Sequence, residues 1–334
     1  MRLRTLGEPL TNDLIDALEE LNIKSDIDLI FSNTPTEIWL KLPPETIPLK
    51  ELNNIVVQLI EKLSAPAYTC VEMFDSEIDR LGKLQDVELS CGVRELDEMV
   101  GGFGVHHMLE ISGEKGSGKT SLALQIILRQ LARYPNSSAV WIDTTGDTSP
   151  DRMSSMLEQI GDEPGVQSAL QRLQITRAFD VDELQQAIEE LRLSLSMKTV
   201  HEQHALRTIV IDPITPVFRP LLNAISSQGH ATMTFVMRQL RILAETFNLT
   251  ILILNATSAA QPNNPSSHFP STTRKPALGP SFTYTSDATL WLARAESVKE
   301  LQHLTKDDSG SGEVYVAEVL RSRRVVSPFA IQGG

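Results

Sequence analysis

The chain has 334 residues, 41% apolar and 22% charged, a globular composition with room for roughly two domains. No apolar run nears the roughly 18 residues that span a bilayer, and the basic start Met1–Arg4 leads into no signal-peptide core, which argues against a secreted or membrane protein. Thirty basic against forty-three acidic residues leave a net charge of −13, so the surface as a whole is no nucleic-acid grip, although a local basic loop still permits one. The two cysteines, Cys70 and Cys91, are too few for a disulfide scaffold or a four-cysteine zinc site and fit a reducing compartment.

In chain order, the first 63 residues read as short helices. Leu14, Ile15, Leu18 and Leu21 share one face of a helix starting near Thr11 and Asn12. Thr34-Pro35-Thr36-Glu37 has capping-box spacing with proline at the first helical position. Leu52, Ile55, Val56, Leu59 and Leu63 step by three and four after Pro48. Residues 1–63 are therefore expected to form a small helical docking or adaptor domain. Residues 64–88 are expected to be a linker, with a short helix near Met73–Leu81.

From Leu89 onward the pattern changes to apolar strands alternating with helices, the mark of a parallel α/β sheet over residues 89–334. The strands are predicted at Met108–Ser112, Ala139–Ile142, Leu173–Thr176, Thr208–Ile211, Thr250–Asn255, Ala288–Ala293 and Val314–Val319. Helices are predicted at Ser121–Arg133, Asp151–Gln159, Val181–Ser196 and Ala231–Thr246. Two segments follow neither period: Pro213–Gly229, and Thr257–Pro280 with its five prolines. Structureless stretches of that length are usually functional or mobile.

Gly113-Glu114-Lys115-Gly116-Ser117-Gly118-Lys119-Thr120 is a full G-x-x-x-x-G-K-[ST] match between a predicted strand and a helix opening at Ser121. Such a loop wraps phosphates with successive backbone N–H groups, backed by the positive end of the helix. Lys119 is the candidate for the β- and γ-phosphates and the Thr120 hydroxyl for Mg²⁺, with Asp212, at the end of the apolar run Thr208–Ile211, as the supporting acid. An aspartate in that place also fits a plain loop cap. His201-Glu202-Gln203-His204 mimics a zinc helix, but the second histidine would have to stand where Ala205 does.

The lead-in Leu89-Ser90-Cys91-Gly92-Val93-Arg94-Glu95-Leu96-Asp97-Glu98-Met99-Val100-Gly101-Gly102-Phe103 resembles that of the RecA-type ATPases, in particular the eukaryotic strand-exchange recombinases and their paralogues. Trp141-Ile142-Asp143-Thr144-Thr145-Gly146 is similar to that family's second strand and turn. Lys275-Pro276-Ala277-Leu278-Gly279 is similar to the element that closes its second DNA-binding loop. Among the paralogues the chain is most similar to the delta type, through Arg172-Leu173-Gln174-Ile175, Ala178-Phe179-Asp180 and Lys275–Gly279 followed by Ser281. The resemblance implies a RecA-like P-loop NTPase core, a mostly parallel twisted sheet with helices on both faces, behind a small all-helical domain. It implies ATP and Mg²⁺ as cofactors and Arg152 packing on the adenine. Implied partners are single-stranded DNA, sister paralogues and the main recombinase, and the implied location is the nucleus, in DNA repair and recombination. Arg219, in the first long loop, with Arg274 and Lys275, in the second, are the implied DNA contacts. Arg321, Arg323 and Arg324 form a basic cluster that reads as a DNA contact, an import signal or plain solvated charge.

Departures from the family pattern carry information. A glutamate that polarises the attacking water is replaced by Thr145, and losing a positioned base typically costs about 10²–10⁴ in rate. A γ-phosphate-sensing glutamine is replaced by Ala256. In the linker, Phe74-Asp75-Ser76-Glu77 has an acid where recombinase protomers dock an alanine, and burying Glu77 unpaired is costly; Tyr68 and Phe74 remain candidate anchors for other subunits. Three readings follow: an ATP-binding paralogue that is at most a weak DNA-dependent ATPase, an active strand-exchange ATPase forming its own filament, and a metabolic P-loop kinase.

Overall fold

The structure, a computed structural model, describes residues 3–5, 10–26, 28–32, 34–44, 46–63, 69–75, 78, 89–105, 107–161, 163–197, 204–222, 227–301, 313–323 and 330–333. The chain divides into two compact units, Met1–Asp75 and Ser76–Gly334. Among the described residues no helix is long and apolar enough to cross a membrane.

In the first unit, helix α1 (Asn12–Glu20) starts where Thr11 accepts a bond from the Leu14 N–H. Helix α2 (Pro35–Lys41) opens on a reciprocal capping box: the Thr34 hydroxyl accepts from Glu37 N–H, and the Glu37 carboxylate accepts from Thr34 N–H at 2.9 Å. With α3 (Leu49–Leu63) these helices bury one core that includes Leu14, Leu18, Ile38, Leu52 and Leu59. Residues 70–75 are helical, started by Thr69 and Glu72 capping each other. The rest of the expected linker, Tyr68 and Glu77 included, lies outside the described residues, except Ile78.

The second unit is built on an eight-stranded sheet in the order β10-β9-β8-β1-β5-β4-β2-β3. Strands β1 (Met108–Gly113), β2 (Ser137–Asp143), β3 (Leu173–Arg177), β4 (Ala205–Asp212), β5 (Thr250–Asn255) and β8 (Ala288–Arg294) run parallel. Strands β9 (Tyr315–Ser322) and β10 (Ala330–Gly333) extend the sheet antiparallel. Residues of β5 alternate between two cores. Leu252 and Leu254 pack with α5 (Lys119–Arg133) and α6 (Pro150–Ile160), while Ile251 and Ile253 pack with α7 (Val181–Met197) and α9 (Ser227–Phe247). Burial on both faces is why β5 reads as a continuous apolar run, whereas edge strand β3 is mostly exposed.

Several elements were not evident from the pattern. The lead-in folds around Asp97, whose carboxylate accepts from the Ser90 hydroxyl (2.6 Å) and Cys91 N–H (2.9 Å) and sits in α4 (Arg94–Val100). Gly101, at φ 77°, ends that helix in the left-handed conformation that glycine adopts without strain. Four-residue α8 (Thr215–Phe218) lies in the first aperiodic segment, too short for a helical period to register. The second is not structureless: β6 (Thr257–Ala259) and β7 (Arg274–Pro276) pair as an antiparallel hairpin, and α10 (Pro280–Thr283) follows. Strands of three residues, Thr-Ser-Ala and Arg-Lys-Pro, are too short to show an alternation.

Candidate functional site

The carboxyl ends of the parallel strands share one edge, the place where open α/β sheets gather ligand-binding loops. β1 delivers Gly113, β2 Asp143, β4 Asp212, β5 Asn255 and β8 Arg294. The P-loop leaves β1 beneath this edge and enters α5 at Lys119. Gly116 and Gly118 hold φ of +81° and +88°, where an L side chain is strained, so the loop keeps its tight path into the helix.

Within the loop the Lys119 ammonium donates to the carbonyls of Gly113 (2.8 Å) and Glu114 (2.7 Å). Burial lowers its pKa, against the pull of Asp212 and Glu114. The Thr120 hydroxyl donates to Asp212 at 2.9 Å. Burial chiefly raises the Asp212 carboxyl to about 6; Thr120 and Lys119 oppose that and Asp143 adds to it. Arg152, at the start of α6, donates to the Ser121 hydroxyl, next to Thr120. The Ser117 hydroxyl is buried without a partner. A cation, a hydroxyl–carboxylate pair, an orphan hydroxyl and a free helix N-terminus meet in one cradle, and this donor set fits a polyphosphate with a hard divalent cation.

Gly113, Glu114, Lys115, Gly116, Ser117, Gly118, Lys119, Thr120, Ser121, Arg152 and Asp212 are thus brought to one edge. Two side chains that sequence reasoning missed join them. Arg294 Nε donates to the Gly116 carbonyl at 3.2 Å, and the Tyr315 ring lies against Gly118. Arg294 directly follows the predicted strand Ala288–Ala293, and that position was the available signal.

The turn after β2 is organised by Asp143. Its carboxylate accepts from the N–H groups of Thr145 (3.0 Å), Gly146 (2.8 Å) and Thr148 (3.1 Å) and from the Thr145 hydroxyl (3.4 Å). Burial disfavours its charge, but the bonds from Thr148, Thr145 and Gly146 outweigh that and hold its pKa below the usual range. Thr145 is exposed, and its hydroxyl faces Asp143; neither group is a free base.

At the end of β5, Asn255 donates to Glu110 (2.7 Å) and to the Ala277 carbonyl (2.9 Å) and accepts from Thr215 (2.7 Å). Thr215 in turn accepts from the Ala256 N–H. Burial raises the Glu110 carboxyl to about 7, against the bonds from Asn255 and Thr289 and the field of Arg321. Raised above the ordinary 4.5, it binds a proton more readily folded than unfolded, so its stabilisation is full at low pH and lost as pH rises through about 7. Glu110→Gln has a satisfied alternative, because the Thr289 hydroxyl can turn to accept from the amide and donate to the Ser286 hydroxyl, which keeps its own bond to the Thr283 carbonyl. The wild-type unfolding free energy relative to this variant should fall by on the order of 2 kcal/mol between about pH 5 and pH 8 in urea titrations. A pH-independent difference would contradict the buried proton.

Of the implied DNA contacts, Arg219 and Lys275 are exposed, whereas Arg274 is paired with Glu114 of the P-loop at 2.8 Å. The basic cluster needs a correction. Arg321 donates to the carbonyls of Thr283 and Ser286 and lies over the Tyr284 ring, and Arg323 donates to the Tyr284 carbonyl. These two brace the segment between α10 and β8 and are not plain solvated charge; Arg324 lies outside the described residues.

A family model for Rad51 matches residues 83–309. DNA repair protein RAD51 homolog 4 of Bos taurus is 27% identical over 290 residues, 86% of this chain and 83% of that protein. The Mus musculus protein of the same name is 29% identical over 169 residues, about half of each chain (50% and 51%). DNA repair and recombination protein RadB of Thermococcus sibiricus is 31% identical over 172 residues, 50% of this chain and 67% of that protein.

Proposed function

Because this chain belongs to the Rad51 family, we propose that it is an ATP-binding recombinase paralogue acting within a hetero-oligomer in the nucleus, with slow or absent hydrolysis. Membership and its likeness to RAD51 homolog 4 and RadB give it a role in DNA repair and recombination. The finer reading is that it binds single-stranded DNA beside sister paralogues and assists assembly of the main recombinase filament, residues 1–63 serving as a docking domain.

The observation that carries the proposal is the turn after β2. Thr145 stands where a base would polarise water, and its hydroxyl and N–H both close onto Asp143. A threonine is a poor base near neutral pH. Nucleotide retention needs none of that turn. Gly113–Thr120 would wrap the phosphates, Lys119 would neutralise them, and Thr120 with Asp212 would hold Mg²⁺. When bound, nucleotide and Mg²⁺ would supply anionic oxygens and a neutralising divalent charge. What this chain's residues do with them is bind, orient and stabilise an assembly, so that nucleotide acts as a conformational ligand. Phe74, 65% exposed, is the proposed anchor for another subunit.

ATP turnover by the purified chain, with and without single-stranded DNA and with Lys119→Ala as blank, tests this. Nucleotide binding with negligible turnover is expected. Brisk DNA-stimulated hydrolysis would overturn the proposal.

A further inference from the structure

One residue of the P-loop faces two ways. The Glu114 carbonyl accepts from Lys119 Nζ at 2.7 Å, and its carboxylate takes Arg274 Nε at 2.8 Å. Arg274 belongs to β7, the return strand of the second long loop, where it lies opposite Ala259. Its own carbonyl accepts from buried Asn264 at 3.0 Å, which fixes the loop around it. Both partners of the pair face solvent, with side chains 39% and 47% exposed.

We infer that Glu114 competes with the phosphates of single-stranded DNA for Arg274, so that the P-loop carries a brake on the second loop's DNA contact. The inference rests on the proposed DNA-binding role of that loop. An arginine fork binds carboxylate and phosphate in the same way, and one guanidinium Nε–H cannot serve both at once. The brake is linked to the nucleotide site through the same residue. Lys119 has one N–H beyond those held by Gly113 and Glu114; turning a second donor to phosphate would lengthen its bond to the Glu114 carbonyl and disturb the residue that holds Arg274. By reciprocity, whatever loading does to that pair, DNA binding does to nucleotide affinity. The contact therefore offers a route between the two sites in a chain whose Ala256 has no hydrogen-bonding side chain to relay one.

The pair is half-exposed, so the effect is a change of about three- to fivefold. The test is fluorescence anisotropy of a labelled thymidine homopolymer against the nucleotide-free full chain, titrated at several salt concentrations. Glu114→Gln should bind about three- to fivefold tighter, with a salt slope steeper by about one released counterion. Arg274→Gln should bind more weakly, and the double variant should match Arg274→Gln. A gain that persists in the double variant would mean general charge repulsion and would overturn the competition. So would a loss with Arg274→Gln alongside no gain with Glu114→Gln, although the DNA-binding reading would then stand. Binding that neither Arg274→Gln nor Lys275→Gln alters, or no binding at all, would remove that reading and the competition with it.

Discussion

Lys119→Ala is expected to weaken ATP binding roughly hundredfold while leaving the fold intact. A hydrogen bond from an ionised donor to a charged partner is worth about 1.5–3 kcal/mol, and Lys119 supplies the ammonium of the cradle. Burial already lowers its pKa, so a polyphosphate would relieve an unfavourable charge as well as gain a contact. The structural cost is small by comparison. The carbonyls of Gly113 and Glu114 lose a donor; at Glu114, partly open to solvent, water can replace it, which leaves the cost at buried Gly113. Calorimetric titration with ATP and Mg²⁺, run beside a urea unfolding curve, separates the two effects. An unchanged affinity would refute the P-loop assignment, and a large loss of stability would show that Lys119 also holds the loop together.

What was legible in the sequence was local. β5 begins and ends at Thr250 and Asn255 as predicted, because a strand buried on both faces is one unbroken apolar run. The box at Thr34 and Glu37 was readable because both its bonds span three residues. The P-loop was readable because its chemistry lies in eight consecutive positions. The contacts that join distant segments left no such mark. Glu110 and Asn255 are 145 residues apart, and nothing near either position announces the other. Arg274 looked like a loop cation seeking DNA, whereas its partner, Glu114, lies in the P-loop. Arg321 and Arg323 looked like a surface cluster because charge is visible in a sequence and carbonyl acceptors are not. Arg172 is the extreme case: it entered as one letter of a resemblance, with no physical role attached.

Arg172→Met is expected to destabilise the second unit by about 3–5 kcal/mol, the range seen when one partner of a buried charged contact is removed. All five guanidinium N–H donors are engaged. Nε donates to the Ser168 hydroxyl, and the other four reach the carbonyls of Tyr134, Ser137, Leu131 and Gly165 at 2.5–3.0 Å. Leu131 lies in the last turn of α5 and Tyr134 is its C-cap, so a positive charge sits where the helix presents unpaired carbonyls and its negative dipole end. The same fork ties down the start of β2 and the loop before β3. Two of the four carbonyls, those of Tyr134 and Gly165, keep bonds from Ser137 and Ser168, so the cost stays near that of one buried charged contact and does not reach that of four orphaned acceptors. A cleft of about 350 Å³ lined by Arg172, His204 and Leu195 gives water partial access and argues for the lower figure. Arg172→Lys should recover only part of the loss, since three donors on a point charge cannot reproduce a planar fork. Urea unfolding supplies the magnitude, and a loss below about 1 kcal/mol would show that the bonds are replaced by water. Hydrogen exchange locates it: protection should fall first in the last turns of α5. Because Lys119 and Thr120 lie at the other end of that helix, nucleotide affinity measured on the folded fraction should change little. A parallel loss of affinity would mean that α5 responds as a rigid unit and that Arg172 positions the P-loop from the far end of the helix.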